Sequence, residues 1–153
     1  MKLNDFITRI PHTGDSDAEI AAIVYDSRKA KAGTLFVCLV GAWADGHTYA
    51  QSAYDNGCRA FLCEHAVNLP ADAVQILTPD TRAALAVIGA DFYGNPAEQL
   101  HLIGITGTKG KTTTALLTAA VLSESGLPCA YIGSNGVNIA GEHEATANTT
   151  PES

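Results

Sequence analysis

The chain has 153 residues, of which 46% are hydrophobic and 16% are charged. This is enough apolar material for one full core, or for a small domain followed by the start of a second, and it argues against disorder. Acidic residues outnumber basic residues 16 to 9, and the net charge of −7 argues against a sequence-independent nucleic-acid surface. Local anion sites stay open, because backbone N–H groups and one or two lysines can bind a phosphate.

The sequence shows neither a targeting segment nor a membrane span. Its first residues contain no long apolar core, and no apolar run approaches the roughly 20 residues that a bilayer requires. Cys58, Cys63 and His65 lack the spacing of a paired-cysteine metal motif, so we interpret the cysteines as buried thiols. We therefore expect a reduced, cytoplasmic protein.

In the first part of the chain the predicted elements are short and alternate between strands and helices. A short amphipathic helix is predicted at residues 3–10. The loop at residues 41–46 leads into a helix that ends at Gly57, a residue typical of a left-handed helix cap. Strands are predicted at residues 20–25, 35–40, 60–63 and 74–77.

A stronger helix signal follows these strands. Thr78, Pro79 and Asp80 form a typical helix start, with Thr78 as the predicted N-cap and Pro79 at the first helical position. Apolar residues then recur at helical spacing until the Gly-Asn-Pro sequence at residues 94–96 stops the helix. We place a domain boundary at this stop. The predicted domains are residues 1–96 and 97–153.

The second part of the chain is predicted to contain one strand–helix–strand unit. A strand is predicted at residues 102–106, a helix at residues 111–125 closed by Gly126, and another strand at residues 128–133. Residues 134–153 are polar and are predicted to be irregular. One such unit leaves sheet faces and strand edges bare, so we expect an α/β protein whose second domain is truncated.

The pattern that carries chemistry lies between the strand at residues 102–106 and the following helix. Glycines let a loop turn its N–H groups toward phosphate oxygens, and a helix N-terminus adds about half a positive charge. Lys111 can then reach the β- and γ-phosphates of ATP, and the Thr112 hydroxyl is a candidate Mg²⁺ ligand. The general phosphate-loop pattern has glycine where this chain has Ile105, so a plain turn between strand and helix stays an alternative. The predicted ATP-binding residues are Gly107, Thr108, Lys109, Gly110, Lys111, Thr112 and Thr113, with Lys111 as the catalytic residue.

The sequence Thr-Gly-Thr-Lys-Gly-Lys-Thr-Thr-Thr at residues 106–114 resembles the phosphate loop of the Mur ligase family. Two further segments are similar to that family in the same chain order. Asp-Ser-Arg-Lys at residues 26–29, with Asp-Gly-His at residues 45–47, resembles its uridine-nucleotide-binding first domain. Asn-Thr-Thr-Pro-Glu at residues 148–152 is similar to a substrate-contacting segment of the MurE type. Three pieces across almost the whole chain are more specific than any one of them.

The resemblance implies a small uridine-nucleotide-binding α/β domain followed by the beginning of a P-loop central domain. It implies ATP-dependent addition of diaminopimelate or lysine to UDP-MurNAc-L-Ala-D-Glu through an acyl phosphate, with ATP and Mg²⁺ as cofactors and Thr112 as the metal ligand. The partners would be small-molecule substrates rather than nucleic acid or membrane, and the protein would be a monomer. The implied UDP-MurNAc-peptide-binding residues are Ser27, Asn148, Thr149 and Thr150.

One departure from the family pattern concerns residues 42–44. Many relatives have His-Gln-Ala there, whereas this chain has Ala-Trp-Ala, so Trp43 offers an indole face in place of two polar side chains. Trp43 as a packing residue and Asp-Ser-Arg as a plain turn stay alternatives. Two other functions also stay open: a D-Ala-D-Ala-adding ligase of the same family, and a non-catalytic nucleotide- or UDP-sugar-binding module. We expect this chain alone to be catalytically inactive and to bind ATP weakly.

Overall fold

The computed structural model describes residues 1–14, 16–41, 44–139 and 142–144, and it divides the chain into two compact units. Unit 1 is Met1–Leu100 and unit 2 is His101–Ser153. The boundary inferred from the sequence falls shortly before this division. No helix among the described residues combines the length and the apolarity that crossing a bilayer requires.

Unit 1 is built on a parallel four-stranded sheet whose strands follow the order of the chain. The strands are β1 (Ala22–Val24), β2 (Thr34–Val37), β3 (Ala60–Cys63) and β4 (Val74–Leu77). The α-helices of this unit are α1 (Asn4–Ile7), α2 (Ala50–Asp55) and α3 (Thr81–Phe92), and 3₁₀ helices lie at Ser27–Lys29, Gly46–Tyr49 and Pro96–Gln99. The predicted α/β class is confirmed, and each strand predicted for this part of the chain is present.

The sheet is covered on both faces, because side chains along its central strands alternate between two apolar cores. Leu35 and Leu62 belong to one core, together with residues of α1 and α3. Phe36 and Phe61 belong to the other core, together with alanines of α2. Every residue of β2 and β3 is buried. A strand buried on both faces has a continuous apolar sequence, which is the pattern that predicts β2 and β3.

Helix α3 begins two residues later than the sequence suggests, and the predicted N-cap at Thr78 is wrong. Asp80 is the N-cap, and its Oδ1 accepts hydrogen bonds from the backbone N–H groups of Arg82 at 3.0 Å and Ala83 at 2.9 Å. Thr78 instead extends the sheet, since its N–H donates to the carbonyl of Cys63 at 2.9 Å. The carboxylate of Asp80 also complements the positive helix N-terminus.

Unit 2 contains one long helix and a small antiparallel sheet. The helix α4 is Lys111–Glu124, and the strands, in spatial order, are β5 (Ala130–Gly133), β6 (Gly136–Ile139) and β7 (Glu142–Glu144). Helix α4 confirms the predicted helix, and Gly126 follows it with a φ of +81°, as a left-handed cap requires.

The strand predicted at residues 128–133 is present as β5, but the predictions for this part of the chain are wrong in two other places. Residues 102–106 form no strand, because a strand needs a ladder partner and no described residue supplies one. Residues 136–144, which the sequence predicts to be irregular, contain β6 and β7. The overlooked signal is the Asn-Gly pair at residues 135–136, a typical hairpin turn, where Gly136 has a φ of +98°.

Unit 2 buries little apolar surface in its described part. No residue of α4 is buried, and Leu117 and Val121 on this helix are 63% and 65% exposed. Tyr131 is the single buried hydrophobic residue among the described positions of this unit. Burial of apolar area is the main favourable contribution to folding, so unit 1 supplies most of it in the described residues.

We predict that Leu62→Ala lowers the free energy of unfolding of unit 1 by about 3 kcal/mol, because it removes a fully buried side chain between two layers. Urea unfolding followed by circular dichroism measures the change. Leu100→Ala is the matched control, since the same truncation at a side chain that is 61% exposed should cost no more than about 0.5 kcal/mol. Equal losses in the two variants would contradict the assigned core.

Candidate functional site

The polar residues that the sequence singles out in unit 1 lie at the carboxyl edge of the parallel sheet. The 3₁₀ helix Ser27–Lys29 follows β1, and residues 41–46 follow β2, which pairs with β1 in parallel. Parallel neighbours end at the same edge of a sheet, and ligands of open α/β folds bind at that edge. The predicted UDP contact at Ser27 is therefore at the edge where a ligand is expected.

The Asp-Ser-Arg segment forms a turn that Asp26 caps. Its Oδ1 accepts a hydrogen bond from the backbone N–H of Arg28 at 3.0 Å, and the Arg28 guanidinium donates to both carboxylate oxygens, at 2.9 and 2.7 Å. The hydrogen bonds from Arg28, first the side-chain and then the backbone ones, lower the pKa of Asp26 to about 2. The turn is thus stable by itself, and the half-buried Ser27 has no side-chain hydrogen-bond partner among the described residues.

Sequence reasoning missed Asn56, which follows α2. Its Nδ2 donates to the carbonyl oxygen of Ser27 at 2.8 Å, across 29 positions of the chain. This bond ties the turn after β1 to the end of a helix on one face of the sheet. No local pattern indicates such a contact, since Asn is common at helix ends for local reasons.

Cys38, His47 and Cys63 form a buried cluster whose ligand atoms lie within 4.8 Å of one another. Both imidazole nitrogens of His47 already have protein partners: Nδ1 lies 2.6 Å from Oδ1 of Asp45, and Nε2 accepts from the N–H of Glu64 at 2.9 Å. The hydrogen bond with Cys63 and then burial raise the pKa of the Cys38 thiol, whereas metals bind the thiolate. Hydrogen bonding within the protein therefore accounts for the cluster.

In unit 2 the predicted phosphate loop runs directly into the first turn of α4. Gly107 and Gly110 have φ values of +151° and +78°, conformations that favour glycine. Gly110 is the N-cap, and no side chain among the described residues caps this end of the helix. Within the described part of the chain, the first N–H groups of α4 are thus left without a side-chain partner, which is the arrangement an anion site needs.

Two side chains of this turn have contacts that the sequence does not indicate. The Nζ of Lys111 donates to the carbonyl oxygen of Gly107 at 2.6 Å, so the lysine folds back over the loop. The hydroxyl of Thr112 lies 3.4 Å from that of Ser134, a residue that sequence reasoning missed. The other side chains predicted to bind ATP, those of Thr108, Lys109 and Thr113, are exposed on the same segment. Trp43, Asn148, Thr149 and Thr150 lie outside the described residues.

A parallel α/β unit with polar strand ends, followed by a glycine-rich loop at a helix N-terminus, defines a nucleotide-binding class of protein. Comparison with known families identifies the family within this class. The model of the Mur ligase family, catalytic domain, matches residues 19–93, and the model of the Mur ligase middle domain matches residues 105–153. The two matched segments together span most of the chain, and the chain belongs to the Mur ligase family.

Within this family the chain is similar to UDP-N-acetylmuramoyl-L-alanyl-D-glutamate--2,6-diaminopimelate ligase of Syntrophomonas wolfei, at 39% identity over 99% of this chain and 32% of the relative. A solved structure of a ligase with the same name has a TM-score of 0.62 at 28% identity, and the match covers 81% of this chain and 26% of that one. Crystal structure I of MurF from Acinetobacter baumannii has a TM-score of 0.56 at 35% identity, covering 69% and 22%. The chain spans about a third of the length of the curated relative it matches.

We predict that Arg28→Gln raises the pKa of Asp26 from about 2 part of the way toward its ordinary value, because the backbone N–H of residue 28 still donates to the carboxylate. Since the folded-state pKa is depressed, the carboxylate stabilises the fold above about pH 4, and this contribution is lost as the pH falls toward about 2. Carboxyl ¹³C shifts during an acid titration measure the midpoint.

Lys29→Gln is the control for this titration, because Lys29 acts on Asp26 only through charge. It removes the same charge as Arg28→Gln but no hydrogen bond, so the midpoint should barely move. An equal rise in both variants would show that charge, and not hydrogen bonding, sets the pKa of Asp26.

Proposed function

We propose that this chain provides the uridine-nucleotide-binding and ATP-phosphate-binding parts of an ATP-dependent ligase. The ligase would add a diamino acid, diaminopimelate in the relative named above, to UDP-MurNAc-L-Ala-D-Glu. The observation that carries the proposal is the uncapped N-terminus of α4, with Gly110 as N-cap and Lys111 as its first residue. The match of 99% of this chain to about a third of a ligase of that name supports the choice of substrate.

ATP is proposed to bind with its terminal phosphates on the turn at residues 107–113. Backbone N–H groups at the start of α4 would donate to phosphate oxygens, and the helix dipole would favour their negative charge. Lys111 would exchange its bond to the neutral Gly107 carbonyl for one to a phosphate, a gain because the donor and the acceptor would then carry opposite charges. The flexible side chain of an exposed lysine allows this movement without a change in the loop.

Mg²⁺ is proposed to accompany ATP at Thr112. Magnesium prefers oxygen ligands, and the hydroxyl of Thr112 has another hydroxyl, that of Ser134, 3.4 Å away. The oxygen-only donor set at this end of α4 fits a hard cation. When bound, the ion would neutralise part of the phosphate charge.

The muramoyl-peptide substrate is proposed to bind at the carboxyl edge of the sheet in unit 1 through its UDP moiety. Ser27 supports this role, since Asn56 fixes its backbone while its own hydroxyl has no hydrogen-bond partner among the described residues. Asn148, Thr149 and Thr150 are proposed to contact the peptide portion, on the strength of their resemblance to the family segment. The protein is proposed to act as a cytoplasmic monomer.

The proposed ligase must overcome the repulsion between two anionic reactants, the substrate carboxylate and the γ-phosphate of ATP. The substrate carboxylate attacks the γ-phosphorus of ATP, displaces ADP and forms an acyl phosphate, which brings two anions together. An amino group then attacks the acyl carbon, and the tetrahedral intermediate expels phosphate. Lys111 and the N–H groups of α4 would offset the repulsion of the first step, where positioning and charge stabilisation supply most of the catalysis.

Binding of nucleotide substrates to this chain tests the proposal. We expect UDP-MurNAc-L-Ala-D-Glu to bind about tenfold more tightly than the same nucleotide already carrying the third amino acid. The first is the acceptor that the proposed ligase converts, and an enzyme binds its own acceptor in preference to a close analogue. Isothermal titration calorimetry measures both affinities. The reverse preference would favour a D-Ala-D-Ala-adding ligase, such as the structurally similar MurF. Tight UDP-sugar binding with no ATP binding would favour a non-catalytic module.

We predict that Lys111→Met weakens ATP binding by about 10- to 100-fold, because it removes a charge-assisted hydrogen bond to phosphate while keeping the length of the side chain. ³¹P NMR titrations with Mg²⁺ suit the weak affinity expected. Lys31→Met removes the same charge from unit 1 and should leave the affinity unchanged. An unaltered dissociation constant in Lys111→Met would overturn the assignment of the phosphate loop.

A further inference from the structure

The segment that follows β2 in unit 1 is held closed at its base by backbone contacts. The N–H of Gly46 donates to the carbonyl of Leu39 at 2.8 Å, and the N–H of Gly41 donates to that of Ala44 at 2.9 Å. Gly46 cannot carry a side chain, because a Cβ there would lie 2.6 Å from the backbone nitrogen of Leu39. We call the described residues of this segment, Gly41 and residues 44–46, the β2 loop.

His47 lies directly after the β2 loop and links it to a different strand. It is only 6% exposed, and its Nε2 accepts a hydrogen bond from the backbone N–H of Glu64, the residue after β3, at 2.9 Å. A peptide N–H can only donate, so Nε2 carries the lone pair and Nδ1 carries the proton. Nδ1 therefore donates to Oδ1 of Asp45, 2.6 Å away, within the β2 loop. The ring is a fixed neutral bridge between loop and strand.

Glu64, which His47 contacts, is itself held by hydrogen bonds to α3. Oε1 of Glu64 accepts from the backbone N–H of Thr81, the first residue of α3, at 3.0 Å. The Thr81 hydroxyl lies 2.9 Å from the same oxygen and 3.0 Å from the carbonyl of Cys38, which follows β2. Thr81 is fully buried. The bonds thus run from the β2 loop through β3 and α3 back to the end of β2.

We propose that His47 is a positioning residue for the uridine-diphosphate ligand: it holds the β2 loop against the end of β3 so that the loop and Ser27 face the ligand together. This rests on the proposed function. His47 does not contact the ligand, because the ring is buried and both nitrogens are engaged within the protein. Its substitution should weaken ligand binding only through the loop.

Two amide variants separate the two bonds of His47. Gln places its side-chain oxygen near the position of Nε2, so His47→Gln keeps an acceptor for the Glu64 N–H. Asn reaches only as far as Nδ1, so His47→Asn keeps a partner for Asp45 and loses the link to β3. His65→Gln is the control, because the exposed His65 ring stacks on His47 at 4.0 Å and shares neither hydrogen bond.

The probe is UDP, titrated by NMR into this 153-residue chain and its variants, with circular dichroism to establish folding. We expect His47→Asn to weaken UDP binding by about tenfold and to speed amide hydrogen exchange at Gly46 by about as much, the equivalent of one lost hydrogen bond. His47→Gln and His65→Gln should stay within about threefold of the unchanged chain in both measurements.

The outcomes separate this inference from the proposed function. If the unchanged chain binds UDP and a folded His47→Asn binds it equally well, the positioning role is wrong while the proposed function stands. If the unchanged chain does not bind UDP, the proposed function fails, and the ligand half of this inference fails with it. If His47→Asn does not fold, the His47→Gln variant still tests the proposal. A folded His47→Gln that binds UDP as the unchanged chain does supports the role given to the Glu64 bond, and one that loses UDP binding overturns it.

Discussion

Burial of the central strands on both faces is the constraint on which the remaining structure of unit 1 depends. Every residue of β2 and β3 is buried, and all but Thr34 pack in one of two apolar cores, so neither face of these strands is open to a polar ligand. Polar chemistry is restricted to the strand ends, where the chain leaves the sheet. The Asp26 turn, the β2 loop and Glu64 all lie at such ends, on one edge. The packing therefore supports the proposed ligand site at that edge.

The two units approach anionic ligands by different physical means. In unit 1, side chains hold short turns at the ends of strands, as Asp26 and Asn56 do on either side of Ser27. In unit 2, the backbone itself is the proposed binding group, and glycines at 107 and 110 shape it. Neither arrangement needs a basic surface. A chain with a net charge of −7 can therefore be a nucleotide-binding protein.

The sequence predicts those features that local patterns determine. Short, mainly apolar segments predict the bounds of β3 and β4, and the glycine-lysine pair at residues 110–111 predicts the start of α4. It misplaced the cap of α3, because the choice between Thr78 and Asp80 depends on a ladder bond to Cys63. The predicted strand at residues 102–106 failed for a similar reason, since a strand exists only with a neighbour.

For the candidate sites too, the sequence predicts what is contiguous along the chain and misses contacts between distant residues. Residues 107–113 are contiguous, so their grouping is visible in the sequence, and the structure brings them to one turn. The contacts of Asn56 with Ser27 and of His47 with Glu64 are not visible in the sequence, because each joins residues at least 17 positions apart. The Asp-Gly-His sequence at residues 45–47 is recognisable by its resemblance to the family, whereas the hydrogen bonds of His47 are visible only in the structure.

The lack of buried residues on α4 has a thermodynamic consequence. Because no residue of this helix is buried, its melting removes almost no apolar area from contact with other side chains among the described residues. Heat capacity and denaturant slope both scale with newly exposed area, so both would report the melting of residues 1–100 and nearly ignore the melting of α4. The heat-capacity change of a calorimetric transition would therefore describe unit 1, and fraying of α4 would add little to it.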